Sequence, residues 1–594
     1  MNGVQKTPER GQAYPFTKLI VRVIPLLFKN APWHSALNFL FGILHGISWT
    51  AGIIATQILF DAISRARPGG FMDCLFPLLA MAGITFCQQI INGIHNFHAH
   101  VFLGKAGGKI KTLLHGKLQR IDPALFEDTA FLDDLNKAKT GAGAIAQFGS
   151  VFILLTSFYG FYFASIGTYL YNMKPLLLFT LLIAFFPALF TQVVRAKIFT
   201  KLEEENAPLR RKYEYYQKTL CDREYYRETR VLGAFRFFHR LFSETMLLFT
   251  DKIWRAERKT AILQLLLNIT TFAGMAFSAY ILFSATMTGE ISVGAFAAVF
   301  AALGQIFYIM QEIVNQHIGA MNTNIGKVTN FIRTIDMPEF TGAEGNPDYS
   351  KGIVTENAGF TYPGRESPAV NDVSLKITEG ETIAIVGENG AGKSTLVRLL
   401  TGIYRPTAGK VTAAGMDTSV ISPKSIYGGI SGVFQKYQRY KMTLRENIEI
   451  SDTDRETDSE KIKTALKQAD AETDAGLDDM LSPEFDGIDL SGGQWQRLAI
   501  ARGLYRTHNI IVLDEPTSAI DPIEETRIYE QFQRLAQGKT AVVVTHRLGS
   551  ARLANRIVVM DSGRIVDAGT HDELLSRPGK YADMWAAQAK WYER

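Results

Sequence analysis

The sequence contains little cysteine and little charge. Only three cysteines occur among its 594 residues, Cys74, Cys87 and Cys221, and they form neither a metal-ligand spacing nor a disulfide framework. Charged residues make up 20% of the chain and hydrophobic residues 47%, which excludes a disordered protein. The net charge of +5 is too weak for this length to indicate nucleic acid. We therefore expect a folded, multidomain protein that faces a reducing compartment and has no nucleic-acid partner.

A secretory signal peptide is not expected, because the N-terminus is polar and the first apolar run is longer than a signal-peptide core. Apolar residues are concentrated in the first half of the chain, whereas charges recur every few positions from about residue 350 onward. Turn-forming residues cluster at 341–350. These patterns predict a membrane part over residues 35–335, a linker over 336–350 and a soluble domain over 351–594.

Six apolar runs in the first half are long enough to cross a bilayer, for which a helix needs about 20 residues. Backbone groups in lipid must be satisfied within the segment, so runs of this length indicate helices. We predict an all-α transmembrane domain with six spans, near residues 36–60, 75–98, 145–170, 176–194, 261–284 and 293–314.

Charges in the connecting segments predict the orientation. Lys and Arg are frequent before the first run, between runs two and three, and between runs four and five, whereas the other connections are short and carry few. Because basic loops stay in the cytosol, we expect a multi-pass protein of the plasma (inner) membrane with a cytoplasmic N-terminus and soluble domain. Within the N-terminal segment 1–34, residues 16–30 predict an amphipathic helix at the cytosolic interface.

A phosphate-binding loop is the strongest motif. Residues 387–394, GENGAGKS, match G-x-x-x-x-G-K-S in full, after a β-rich run at 382–386 and before a helical pattern at 394–404. The glycines let backbone N–H groups surround phosphate, and the helix N-terminus adds partial positive charge. The alternative is a strand–turn–helix that only resembles such a loop. We assign ATP contacts to Gly387, Asn389, Gly390, Gly392, Lys393, Ser394 and Thr395.

Two carboxylates follow a second buried strand. The apolar residues 510–513 lead directly into Asp514 and Glu515. Carboxylates at the carboxyl edge of a sheet suit a metal–phosphate site. We expect Asp514 to hold Mg²⁺ together with Ser394, and Glu515 to orient the attacking water. The pattern is weak alone and gains its strength from the phosphate-binding loop.

The pentapeptide 490–494, LSGGQ, precedes another helical pattern, which runs to about Leu504. Ser491 and Gln494 have the spacing of a capping box, and the two glycines also permit an anion to approach the helix end. With the two motifs above, in this order, the pentapeptide resembles the signature of the ATP-binding cassette (ABC) transporter family. The resemblance implies an α/β P-loop NTPase domain, ATP and Mg²⁺ as cofactors, and ATP contacts from Ser491, Gly492, Gly493 and Gln494.

Four further positions resemble family residues. Tyr362 resembles the aromatic that stacks on adenine, and Gln435 resembles the loop glutamine that contacts Mg²⁺ and senses the membrane domain. Asp521, within 518–521, resembles the D-loop aspartate. His546 resembles the switch histidine that contacts the γ-phosphate, although a histidine at a strand end can also be structural. The resemblance thus implies Glu515, His546 and Lys393 as catalytic residues and Ser394, Gln435 and Asp514 as Mg²⁺ ligands.

The family places ATP between the P-loop of one cassette and the signature of another. This chain has one cassette and six spans, so it resembles an exporter-type half-transporter that must pair with a second copy of itself or with a homologous half-transporter. The stretch 483–489, PEFDGID, departs from the Gly-Glu-Arg-Gly-like sequence that exporters often carry before the signature, which puts a cross-dimer contact there in doubt.

Two segments resemble the family's coupling helices, residues 122–135 and 222–238. Both carry aromatics among charges, which suits docking onto a cassette, although a solvated amphipathic helix would look alike. The long cytosolic segments are expected to extend the spans as helices. Spans five and six contain polar residues that either line a substrate cavity or join helices by hydrogen bonds: Asn268, Tyr280, Gln305, Tyr308, Gln311, Glu312 and Asn315.

The sequence therefore predicts an ATP-driven exporter of an amphipathic peptide, drug or lipid that works by alternating access. A lipid flippase, or an importer of metal chelates on the exporter fold, would have the same pattern. A soluble ABC ATPase acting on nucleic acid or ribosomes is disfavoured by the six apolar runs. The resemblance leans toward bacterial exporters, through 495–497 and 521–522.

Overall fold

The computed structural model describes residues 14–67, 70–515 and 538–592, which fall into two compact units. The first unit combines the chain up to Lys117 with Asp134–Asp336, and the second combines Leu118–Asp133 with Met337–Arg594. The second unit thus contains most of the first predicted coupling segment as well as the soluble domain. The sequence analysis assigned that segment to the membrane half, whereas in the structure most of it packs with the second unit.

The first unit is entirely helical in the part that the structure describes. Its helices are α1 (Phe16–Asn30), α2 (Pro32–Arg65), α3 (Phe71–Leu118), α4 (Thr129–Leu154), α5 (Gly160–Met173), α6 (Pro175–Cys221), α7 (Tyr226–Val231), α8 (Phe235–Met287), α9 (Val293–Glu312) and α10 (Gly319–Asp336).

Each of the six predicted spans is helical along its length; the third runs from α4 into α5, and the sixth ends just beyond α9. The helices extend well past the apolar runs. Helix α3 has 48 residues and α8 has 53, so α3 is about 72 Å long, more than twice the roughly 30 Å hydrocarbon core. The expected continuation of the spans as helices is confirmed. Among the described residues, five helical segments are long and apolar enough to cross a membrane, and they contain five of the six predicted spans.

Two helical segments contain a π-helical turn. Leu155–Tyr159 joins α4 to α5, and Ile313–Ile318 joins α9 to α10. The two turns are connected by a hydrogen-bond contact of 3.0 Å between the Tyr159 hydroxyl and His317 Nε2. Such turns are rare and are frequently found at functional sites.

An apolar cavity of about 340 Å³ lies beside these turns, between α5, α6 and α9. Among the described side chains that line it, only that of Tyr159 carries a polar group. The lining residues are Leu155, Tyr159, Gly160, Phe163, Ile166, Gly167, Leu170, Leu178, Leu181, Leu182, Ile306, Met310 and Ile313.

The second unit is built on two sheets. An antiparallel sheet has the order β2–β1–β4–β5, from β1 (Ile353–Phe360), β2 (Val370–Ile377), β4 (Ala408–Ala413) and β5 (Met416–Asp417). A larger sheet has the order β10–β9–β3–β8–β7–β6, from β3 (Thr382–Val386), β6 (Ile430–Val433), β7 (Ile510–Asp514), β8 (Thr540–Val544), β9 (Arg556–Asp561) and β10 (Arg564–Gly569).

Helices pack around the larger sheet. They are α11 (Lys393–Leu400), α12 (Pro423–Tyr427), α13 (Leu444–Glu449), α14 (Ser459–Gln468), α15 (Gly492–Tyr505), the short helices Leu548–Ala551 and His571–Leu575, and the C-terminal helix (Lys580–Tyr592). Helix α11 ends at Leu400, before the predicted Tyr404, because Gly402 adopts φ +69°. Strands β3, β7 and β8 are buried throughout or nearly so, as expected for the centre of a parallel sheet.

Candidate functional site

Four neighbouring parallel strands end at one edge of the large sheet, and each delivers predicted site residues there. The P-loop (residues 387–394) follows β3, and the loop with His546 follows β8. Asp514 and Glu515 stand at the end of β7, and Gln435 follows β6. The strands are adjacent in the order β3–β8–β7–β6. Ligand sites of α/β folds form at this carboxyl edge, so the topology brings together residues that are far apart in sequence.

At Gly392, the P-loop backbone has a conformation that favours glycine. Gly392, the N-cap of α11, has φ +95°, and a Cβ there would lie 2.5 Å from the carbonyl oxygen of Ala369. Helix α11 starts directly at Lys393, so its free N–H groups point toward the loop. The result is a cradle of backbone donors, which is the chemistry that phosphate binding needs.

Lys393 is held against the same loop. Its buried ammonium donates hydrogen bonds to the carbonyl oxygens of Gly387 at 2.8 Å and Glu388 at 3.0 Å. Burial lowers the pKa of Lys393, while the nearby Glu515 and Asp514 carboxylates act in the opposite direction. The ammonium is therefore positioned at the loop by its own backbone.

Asp514 and Ser394 form a pair at the end of β7. The Ser394 hydroxyl donates to Asp514 Oδ1 at 3.1 Å, and Asp514 is buried. Burial raises the pKa of Asp514, and the hydrogen bond from Ser394 opposes that shift. Two oxygen ligands of the kind that Mg²⁺ prefers thus lie side by side.

Glu515 is the point where the predicted catalytic residues meet. Gln435 Nε2 donates to its Oε2 at 2.7 Å, and His546 Nδ1 lies 3.3 Å from its Oε1. The Glu515 backbone is left-handed, with φ +48°, and its N–H donates to Val544 O at 3.0 Å. A non-glycine residue in this conformation costs about 1–3 kcal/mol and is typical of functional sites. The carboxylate is therefore held by two side chains, and the backbone of the same residue is held by β8.

Tyr362 lies on the other side of α11. Its hydroxyl is 2.8 Å from Thr395 Oγ1, and its ring packs edge-on against Phe360 and Tyr404. The tyrosine is partly exposed, so one part of the ring remains accessible beside the P-loop helix. This position suits the predicted contact with a base, since aromatic rings pair by stacking.

A polar cluster that the sequence analysis missed continues from Tyr362. Arg398 Nη1 donates to the Tyr362 hydroxyl at 3.3 Å, to the Tyr404 hydroxyl at 3.0 Å and to Glu127 Oε1 at 3.1 Å. The Tyr404 hydroxyl also donates to Glu127 Oε1 at 2.9 Å. Glu127 belongs to the 3₁₀ turn Pro123–Glu127 of the first predicted coupling segment. The only signal in the sequence was an acid among aromatics in that segment.

The signature residues form the N-terminus of helix α15. Ser491 caps α15 by accepting from the Gln494 N–H, and Gln494 Oε1 accepts from the Ser491 N–H at 2.9 Å, so the predicted capping box is confirmed. Tyr437 donates its hydroxyl to Gly492 O at 3.0 Å. Gly493 has open space beside its Cα. Within the described chain, these hydrogen bonds stay around the helix end and do not reach the P-loop.

Some predicted residues lie elsewhere or outside the described chain. Asp521 of the D-loop is outside the described residues. Of the polar residues predicted in spans five and six, Tyr280 is 64% and Tyr308 is 65% exposed on the single chain, and Gln311 donates to Asn268 at 3.4 Å between α9 and α8. The side chain of Asn315 lies outside the described part of the chain. The stretch 483–489 contains the 3₁₀ turn Pro483–Phe485, and Glu484 pairs there with Lys441.

Two family models match the chain. The model of the ABC transporter transmembrane region matches residues 35–211, and the ABC transporter model matches residues 370–518. The two matches fall on the helical part and on the P-loop domain. The chain belongs to the ABC transporter family. The predicted fold class, a helical transmembrane domain followed by an α/β P-loop NTPase domain, is confirmed.

Curated relatives of this ABC transporter are bacterial. The subtilin transport ATP-binding protein SpaT of Bacillus subtilis is 26% identical over 555 residues, or 92% of this chain and 90% of SpaT. The nisin transport ATP-binding protein NisT of Lactococcus lactis is 31% identical over 333 residues, about 54% of each chain. An ATP-dependent lipid A-core flippase of Thiobacillus denitrificans is 35% identical over 308 residues, 50% of this chain and 52% of the flippase.

A solved structure shares the fold. A bacterial Atm1-family ABC exporter with ATP bound superposes with a TM-score of 0.78 at 22% identity, covering 95% of this chain and 98% of that chain. The ABC transporter described here is thus a multi-pass membrane protein that binds and hydrolyses ATP to drive transport.

Proposed function

We propose that this ABC transporter is an exporter half-transporter that works as a dimer and moves an amphipathic peptide or a lipid-like molecule out of the cytoplasm. The observation that carries the proposal is the meeting of Gln435, His546 and the P-loop lysine at Glu515 and Asp514, in a chain that also carries the membrane helices. One chain contains every cassette residue needed for ATP turnover.

The residues around the P-loop fit ATP with Mg²⁺. Lys393 and the N–H groups of α11 supply positive charge for the β- and γ-phosphates. The Ser394 hydroxyl and the Asp514 carboxylate, with the Gln435 amide, are oxygen donors suited to Mg²⁺, which neutralises phosphate charge when bound. These assignments follow from the donor types and from the 3.1 Å contact between Ser394 and Asp514.

Glu515 is proposed to orient the attacking water. Its carboxylate side chain is only 12% exposed, and Gln435 and His546 fix it from two sides. A carboxylate held in this way can accept a hydrogen bond from the attacking water and so fix the direction of attack. Phosphoryl transfer depends mainly on such positioning and on charge stabilisation. His546, whose side chain is 47% exposed, remains able to face a γ-phosphate.

A second copy is required by the proposal because the signature helix end lies apart from the P-loop within one chain. Ser491, Gly492 and Gly493 present a capped helix N-terminus with open space at Gly493. In an antiparallel pair, that end would face the partner's P-loop. A homodimer would then have two equivalent sites, and a homologous half-transporter could replace the second copy.

The substrate class is supported by two observations. Relatives carry names that refer to subtilin or nisin transport and to a lipid A-core flippase. The cavity between α5, α6 and α9 is apolar apart from Tyr159, which suits the apolar part of an amphipathic molecule. A flippase acting on a lipid is the second candidate, favoured by the 35% identity to the flippase.

The first coupling segment supports coupling between ATP turnover and the membrane helices. Its Ala124 is buried in the apolar cluster of β1, β2 and α11, and Glu127 pairs with Arg398. A movement of α11 would therefore displace the segment. The second predicted coupling segment contains α7 and the turn before α8 and is proposed to act on the partner's cassette.

The test is Glu515→Gln in purified protein reconstituted in liposomes. We expect ATP to bind with unchanged affinity and turnover to fall by about 100-fold or more, because the amide cannot accept a proton. Glu379→Gln, an exposed residue before β3, is the control and should turn over normally. Unchanged turnover of the Glu515 variant would remove it as the key carboxylate.

The direction and the substrate are tested in the same liposomes. ATPase rate and uptake are measured with cationic amphipathic peptides, fluorescent lipids and small drugs, with cassettes facing outward. An exporter accumulates its substrate inside such liposomes, whereas an importer does not. Stimulation by lipids alone would favour the flippase.

A further inference from the structure

The loop that carries His546 is bound by a residue from the C-terminal helix. Gln588 Nε2 donates to the carbonyl oxygen of His546 at 2.6 Å, and the N–H of Leu548 donates to Gln588 Oε1 at 3.0 Å. The Gln588 carboxamide thus pairs with the backbone C=O before Arg547 and with the backbone N–H after it. A neighbouring β-strand would make the same two kinds of hydrogen bond.

This contact bears on the direction of the histidine, whose ring has one side-chain partner, Glu515, among the residues that the structure describes. The His546 side chain is 47% exposed, with Nδ1 3.3 Å from Glu515. The loop is also pinned by Thr545, whose hydroxyl accepts from the Arg547 N–H at 3.0 Å. A half-exposed side chain takes its direction from its backbone, and Gln588 binds that backbone at the histidine itself.

The C-terminal helix is also attached to the P-loop. Lys580 Nζ lies 3.0 Å from Glu388 Oε1 and 3.2 Å from Asp561 Oδ2. Glu388 is the second residue of the P-loop. Lys580 and Gln588 are separated by about 12 Å along the helix axis, at 1.5 Å per residue. One rigid element therefore contacts both loops that flank the site of the γ-phosphate.

The helix is well supported for such a role. Tyr581 is fully buried in a cluster with Ala384 and Val386 of β3 and with Leu548, and Trp585 packs against that cluster. The Tyr581 hydroxyl is 2.8 Å from His571 Nδ1. Since β3 leads into the P-loop, the helix is anchored on the same strand that positions the phosphate site.

We propose that Gln588 is a positioning residue for the ATPase reaction, which orients His546 through its backbone, and that the C-terminal helix sets the spacing between the switch histidine and the P-loop. The inference rests on the proposed function, in which His546 acts at the γ-phosphate. Gln588 has no signal in the sequence, because nothing in a helical pattern near the C-terminus marks a contact with residue 546.

The experiment compares Gln588→Met, Gln588→Glu and the control Lys590→Ala in the full-length transporter in liposomes. Met keeps the length and the helix propensity but removes both hydrogen bonds. Glu keeps the acceptor for the Leu548 N–H but cannot donate to His546 O and places a carboxylate beside it. Lys590 is exposed on the same helix, and its variant should behave as wild type.

We expect kcat for ATP to fall about five- to twentyfold in both Gln588 variants, with the KM for ATP and the thermal unfolding temperature nearly unchanged. Turnover is expressed per ATP-binding site, so partly unfolded protein does not count. A purely structural role would lower the unfolding temperature and the number of sites while leaving kcat per site intact, and that result would overturn the proposal. Normal kcat in Gln588→Glu would also overturn it.

His546→Ala separates the two levels of the argument. If His546→Ala loses turnover and the Gln588 variants do not, only the role of Gln588 is wrong. If His546→Ala turns over normally, the proposed switch role fails and the proposal for Gln588 fails with it. If both lose kcat and retain ATP binding, both roles stand.

Discussion

The cassette and the membrane half of this chain hold their polar groups in different ways. In the cassette, polar side chains form dense local networks, as at Asn447, which is fully buried and makes four hydrogen bonds through its carboxamide. In the membrane half, buried polar groups form pairs, such as Ser278 with Thr180 at 2.9 Å, or small clusters, as at His45. The dense polar networks that can position reacting groups therefore lie in the cassette, whereas the membrane half has fewer polar contacts.

The difference follows from the solvent of each half. Water competes for exposed polar groups around the cassette, so a network there must be complete and buried to hold residues in register. Lipid offers no hydrogen bonds, and α-helices satisfy their own backbone, so side-chain bonds between helices are few and modest. The membrane half can therefore keep a largely apolar cavity, whereas the cassette relies on networks such as that at Asn447 to hold its buried polar groups.

The largest effect is expected from the centre of the cassette. Lys393→Ala removes a buried ammonium that donates to Gly387 O and Glu388 O and faces the phosphates. We expect ATP turnover to fall at least about 100-fold and ATP binding to weaken, since charge stabilisation is the main source of catalysis here. ATP binding and phosphate release in purified protein measure both effects.

The control for Lys393 is Lys376→Ala on the exposed side of β2. This variant removes a positive charge from the same unit. We expect its turnover to stay within about twofold of the wild-type rate, because surface substitutions away from functional groups have small effects. If Lys393→Ala retained full turnover, the P-loop would have to be assigned to another role.

The cassette site was predictable from sequence because each motif is local. The P-loop, Asp514–Glu515 and the signature each occupy a few consecutive residues, and the strands that precede the first two point them to the same sheet edge. Gln435 and His546 were found only through resemblance, since single residues after strands carry no pattern. Their contacts with Glu515 could not be read from spacing, because they depend on the strand order.

The membrane half was predictable only in outline. Apolar runs identified where the helices cross lipid, but they carry no information on the π-helical turns or on the Tyr159–His317 contact. The polar residues of spans five and six were expected inside the bundle, yet Tyr280 and Tyr308 are exposed on the single chain. Glu127 and Arg398 are separated by 271 residues, so their pairing had no local signal.

A smaller effect is expected at the first predicted coupling segment. Glu127→Gln removes the charge that accepts from Arg398 and from Tyr404. We expect transport per ATP hydrolysed to fall about three- to tenfold, since a half-exposed charged hydrogen bond is worth roughly 1 kcal/mol. Uptake and ATPase rate are measured in the same liposomes.

Glu379→Gln again serves as the control for Glu127. A parallel loss of ATPase rate and transport would place Glu127 in ATP turnover and not in coupling. Unchanged transport would show that the segment's apolar contact through Ala124 is sufficient.

The apolar cavity gives a weaker test of the membrane half. Gly167→Leu adds a side chain where a Cβ would lie 3.7 Å from Leu178 Cδ1, so the new group can enter the cavity without displacing backbone. We expect basal ATPase to be unchanged and substrate stimulation to fall about three- to fivefold, because a filled pocket loses its apolar contacts with substrate. Gly93→Leu on the open side of α3 is the control.

An opposite result at Gly167 would be informative. If stimulation by peptides and lipids were unaffected while basal ATPase fell, the cavity would be a space that the helices need for movement. The proposed substrate would then have to contact other surfaces of the membrane half.

The smallest effect compares one polar contact from each half directly. Ser278→Ala removes an interhelical hydrogen bond in lipid and should cost about 0.6 kcal/mol, since helices without the contact find other partners in the membrane. Asn447→Ala removes, from a fully buried side chain, three donor contacts to the carbonyl oxygens of Tyr440, Met442 and Thr443 and one acceptor of Arg502, and should cost about 3 kcal/mol. Calorimetric unfolding of the full chain in detergent should therefore show a clear shift for Asn447→Ala and almost none for Ser278→Ala. Equal shifts would mean that the membrane pairs are as important to stability as the cassette networks, and the contrast between the two halves would not hold.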